Sequence, residues 1–85
     1  MENLFNFMSK EKIKELKKKI EALIIAIPRE LEAYEFYLDL SERSDDAASK
    51  EMFIFLAKQE LMHRDHLEKI LNELQNKLEE ELEKK

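Results

Sequence analysis

The sequence predicts an all-α protein, an antiparallel two-helix hairpin that pairs with a second copy to form a homodimeric four-helix bundle. Three observations carry this. The 85 residues contain no glycine, no cysteine and one proline, and 41% of them are charged. Such a chain is built mostly from good helix formers and lacks the turn residues that hairpin strands need. Two long stretches repeat apolar residues at intervals of three and four, and one polar cluster separates them.

Residues 1–9 carry Leu4, Phe5, Phe7 and Met8 with little charge and read as an apolar N-terminal arm, with Ser9 as the N-cap of the first helix. Over about residues 10–42, Ile13, Leu16, Ile20, Leu23 and Ile27 define a helical seam that continues through Glu30, Tyr34 and Tyr37. Pro28 lies inside this pattern and predicts a kink. The turn falls at about residues 43–45, within Ser41–Asp46, and Ser44 or Asp45 is suited to cap the next helix. A second helix, about residues 46–82, has Phe53, Leu56, Glu60, His63, Leu67, Ile70 and Leu74 on its seam, and Glu79–Lys85 is a charged ending.

Charge supports the antiparallel pairing. Lys10, Lys12, Lys14, Lys17, Lys18 and Lys19 near the start of the first helix lie opposite Glu68, Glu73, Glu79, Glu80 and Glu81 near the end of the second. Two helices cannot enclose a core. Ile24, Ile25, Leu31, Phe36, Leu38, Phe55, Leu61 and Met62 fall off the hairpin seam and need a partner, which predicts a homodimer or a larger homo-oligomer.

Whole classes of function are excluded. Without glycine there is no phosphate-cradling loop, and without cysteine there is no disulfide, thiolate zinc site or thiol nucleophile. A net charge of −5 and a pI near 5.1 argue against nucleic acid as a partner. The longest apolar run, Ala22 to Ile27, is too short to span a membrane or to form a signal-peptide core. The expectation is a cytoplasmic protein with no membrane partner.

The chemistry lies in Glu30, Glu60 and His63, three polar residues on apolar seams. A buried carboxylate without a partner costs several kcal/mol, so a compensating basic side chain, a shared proton or a metal is required. At about 1.5 Å per residue, Glu30 and Glu60 stand roughly 21 and 24 Å from a turn centred on Ser44, in one layer. His63 lies one turn beyond Glu60 on the same face. Arg29, Lys58 and Arg64 fall elsewhere on the helical wheel. In a dimer, four carboxylates and two imidazoles meet, enough to balance two divalent cations, and this donor set suits iron or manganese. Without such convergence the glutamates would swing out to solvent, as most helical glutamates do.

The segments Ala26–Tyr37 (AIPRELEAYEFY) and Phe53–Leu67 (FIFLAKQELMHRDHL) resemble the rubrerythrin and ferritin-like superfamily. They look most like half-length members such as the encapsulated ferritins. The resemblance implies that Glu30, Glu60 and His63 are metal ligands and catalytic residues at a di-iron centre, with Tyr37 as a hydrogen-bond donor to a ligating carboxylate. It implies two iron ions per dimer, Fe²⁺ oxidation by O₂ or peroxide, a role in iron storage or detoxification, and a protein shell as a partner. Glu60 is expected to bridge the ions, with a Glu30 and a His63 together holding each ion. The second Glu-x-x-His and the cysteine-ligated iron domain of full-length rubrerythrins have no counterpart here, and Glu79–Lys85 has no apolar docking motif. His66 reads as a surface or rim residue. The alternatives are a non-catalytic, metal-stabilised hairpin and a metal-free self-association module.

Overall fold

A computed structural model describes residues 3–84. It contains two helices, α1 (Leu4–Arg43, 40 residues) and α2 (Ala47–Glu83, 37 residues), packed side by side. The described residues contain no strand and no residue with positive φ. The all-α prediction is therefore correct for this chain.

Helix α1 starts six residues earlier than the apolar period implies. Residues 4–9 are not a separate arm but the first turns of α1, while Met1 and Glu2 lie outside the described residues. Asn3, not Ser9, is the cap, and its Oδ1 accepts the amide of Asn6 at 2.8 Å. Leu4 to Met8 contain no helix breaker, so a good cap just upstream extends the helix through them. Ser9 instead donates its hydroxyl to Glu81 across the hairpin, at 3.3 Å.

The helix also runs unbroken through Pro28. It ends at Ser44, whose Oγ donates to the carbonyl of Leu40 at 2.7 Å and whose amide reaches Ser41 at 3.3 Å. Asp46, one residue beyond the expected caps, starts α2 by accepting the Ser49 amide at 2.9 Å. That bond favours the ionised carboxylate and holds the Asp46 carboxyl below its ordinary range. Two serine hydroxyls, Ser41 and Ser44, bond back to the preceding turn, so the reversal needs no glycine.

The molecule is a rod of 69 × 15 × 13 Å with a radius of gyration of 19.5 Å. A compact chain of this length would have a radius of about 12 Å. Among the described residues only Ile13, Ile20 and Ala57 form a buried apolar core. Ile24, Ile25, Phe36, Phe55 and Met62 are more than half exposed. At the open end, Glu81 is 8% exposed and accepts Lys12 at 3.5 Å and Lys84 at 3.1 Å. These bonds lower its pKa, Lys84 contributing most. The Lys12–Glu81 pair is one instance of the expected meeting of early lysines with late glutamates, whereas Lys84–Glu81 is a local pair within α2.

Candidate metal centre

Glu30 lies thirteen residues before Arg43, and Glu60 lies thirteen residues after Ala47. Equal helical rise therefore carries both carboxylates to the same height, about 20 Å from the turn. Both are partly buried between the helices, with side chains 25% and 20% exposed. The i, i+3 spacing then brings His63 over the pair. His63 Nδ1 is 3.7 Å from Glu30 Oε2 and 3.7 Å from Glu60 Oε2. One donor atom from each of the three residues lies within 4.8 Å of the others.

These separations suit a cation better than they suit direct bonds. A hydrogen bond to a carboxylate would need about 2.7–3.2 Å. Two donors each about 2.1 Å from one ion can be up to roughly 4.2 Å apart, and 3.7 Å falls inside that limit. Two carboxylates and an imidazole are also a chemically suitable set for iron or another first-row divalent ion. Without a cation the carboxylates are a problem for each other. Glu60 is pushed above the usual carboxylate range, first because it shares a hydrogen bond with Glu30 and then through burial and the Glu30 charge, while His63 acts in the opposite sense. Among the described residues no lysine or arginine pairs with Glu30 or Glu60.

Two details differ from the pattern read along the chain. Phe53, Leu56, Glu60, Leu67, Ile70 and Leu74 of the expected α2 seam are half-buried, but so are Arg64, Leu71 and Leu78, Ala57 is fully buried, and His63 is exposed. His63 is therefore on the flank of the hairpin, not on its seam, and its side chain is 58% exposed. Apolar spacing alone merges the face that packs on α1 with the neighbouring face. Arg64, placed off the seam by that spacing, is on it. Its Nε is shut off from solvent without a hydrogen-bond partner, while its outer nitrogen bonds Asp65 at 3.2 Å. The signal was in the sequence, since Arg64 comes seven residues after the buried Ala57 and seven before Leu71.

The remaining residues stand apart. Tyr37 is half-buried, one heptad from Glu30, and its ring meets Phe36 edge-on at 5.4 Å. Among the described residues its hydroxyl bonds neither Glu30 nor Glu60. His66 is exposed and lies outside the cluster, as a rim residue would.

An all-α hairpin with a glutamate on one helix and Glu-x-x-His at the same height on the other defines a class, helical proteins with a candidate carboxylate–histidine cation site. Within it the chain belongs to the rubrerythrin family, whose model, described as Rubrerythrin, matches residues 21–85. No curated protein and no solved structure matches the chain. No helix among the described residues is long and apolar enough to cross a membrane.

Proposed function

We propose that two copies pair across the Glu30–Glu60–His63 layer, completing a ferritin-like four-helix bundle that binds Fe²⁺ as substrate and oxidises it. The observation that carries this is the cluster itself: two carboxylates and an imidazole converge at one height, with the imidazole opening onto an uncovered flank. A single hairpin offers three donors, and a second copy facing it doubles the set to four carboxylates and two imidazoles.

In this reading Glu60 would bridge the two ions, while a Glu30 and a His63 together would hold each ion. Two ferrous ions each lose one electron. With O₂ the two electrons and two protons produce hydrogen peroxide, and with peroxide as oxidant the same count yields two waters. The four carboxylates offset the charge that builds up as the ions are oxidised. Family membership supports iron as the metal, and manganese has the same ligand preferences. The role is iron storage or detoxification in the cytoplasm, with storage requiring a larger oligomer or a separate protein shell.

The test is anaerobic addition of Fe²⁺ followed by O₂. The expected result is saturation near two ions per dimer, then uptake of about one O₂ for two irons with appearance of a ferric absorption band. A rise in melting temperature without O₂ uptake would leave a metal-stabilised hairpin, and no binding at all would leave a metal-free association module.

A further inference from the structure

The open end of the rod has features that the metal layer does not explain. It lies about 35 Å along α1 from Glu30, measured at Phe7, and residues 1–20 fall outside the family match. Between the helix ends runs a groove of about 690 Å³, with Phe7, Met8 and Leu16 as its apolar part. Its rim carries four lysines and four glutamates and so has no net charge. Beside it, the uncharged stretch from Asn3 to Ser9 exposes Leu4 (74%) and Phe5 (65%).

We infer that this end is a metal-independent docking site for a second copy of the chain, with Leu4 and Phe5 of each copy seated in the groove of the other. Every chain carries both the apolar plug and the groove at the same end. A two-fold axis therefore satisfies both at once and closes the contact. Charge points the same way. Residues 10–19 hold six lysines and two glutamates, while residues 73–83 hold five glutamates and one lysine. A surface with a positive strip beside a negative one is complementary to itself when turned by a two-fold. An anionic lipid surface would instead favour a cationic rim, and this rim is balanced.

The experiment uses the full chain treated with chelator, followed by light scattering and sedimentation. The expected result is that metal-free wild type self-associates and that the L4E/F5E variant does so roughly 100-fold more weakly, as expected for losing two buried apolar anchors. The variant should keep its helical signal, because acidic residues suit a helix start, and should keep its metal uptake at Glu30, Glu60 and His63. As a second measurement, F5C and K84C chains are mixed with oxidant; they should form a mixed disulfide, whereas K50C at the other end should not join F5C. A monomeric metal-free wild type, unchanged association in L4E/F5E, absence of the F5C–K84C product, or binding to phosphatidylserine vesicles in place of self-association would overturn the inference. Failure of the iron reading shows up separately, as absent metal uptake in the same samples.

Discussion

Glu30 and Glu60 face each other at equal distance from the turn, and Glu60 is raised above its ordinary pKa first by the hydrogen bond it shares with Glu30, then by burial and the Glu30 charge. The pair is therefore a cost to the metal-free hairpin and an asset only when a cation joins it.

Removing any one donor should abolish that asset. Glu30→Ala, Glu60→Ala and His63→Ala are each expected to weaken Fe²⁺ binding by at least about 100-fold, beyond the loss typical of outer-shell changes, and to stop O₂ uptake. Anaerobic equilibrium dialysis measures the first and an oxygen electrode the second. His66→Ala should leave both near the wild-type level, since His66 is outside the cluster.

The cost is measurable as well. Glu60→Leu should stabilise the metal-free protein by about 1 kcal/mol, because an apolar side chain replaces a partly buried carboxylate facing another. The same variant should show no added stability with Fe²⁺. In wild type, metal at one hundred times its dissociation constant should add about 2.7 kcal/mol, reversed by chelation. Thermal melts with and without metal separate the two effects.

Pro28 breaks the backbone ladder two residues before Glu30 yet stays inside the helix. Pro28→Ala should restore the bond to Ile24 and stabilise the metal-free protein by about 1–3 kcal/mol. If the proline helps aim Glu30, Fe²⁺ affinity should fall in the same variant despite its greater stability. Unchanged affinity would show that Glu30 is positioned by packing alone.

Two carboxylates with lowered pKa, one at each end of the rod, contribute stability that acid removes. Asp46 is stabilised as a carboxylate by the Ser49 amide, and its folded pKa lies below the ordinary 3.8. Its contribution is complete above that value and disappears as pH falls through the lowered one. Wild type should therefore lose its stability advantage over Asp46→Ala only below about pH 4, as read from denaturation midpoints. Glu81, also lowered from an ordinary 4.5, should behave alike at the other end. Glu81→Gln is expected to speed amide exchange over the first and last turns while leaving metal uptake intact.

Much of the fold was legible along the chain. Helical period, the lack of glycine and the single polar break specify two helices and one reversal, because backbone propensity and apolar spacing are local properties. Equal counts of residues to the turn also place Glu30 and Glu60 in one layer, because helical rise is constant.

Packing decided the rest. At the open end Ser9 and Lys12 of α1 meet Glu81 of α2, a pairing of residues far apart in sequence that only the folded hairpin creates. The face of α2 that meets α1 was chosen by side-chain fit, with Ala57 and Arg64 turned in and His63 on the flank. A shift of a few tens of degrees about a helix axis leaves apolar spacing almost unchanged, yet it moves a side chain from one face to the next. The residue types that can hold a cation are a property of the sequence, whereas the direction in which the imidazole opens is a property of the packed hairpin.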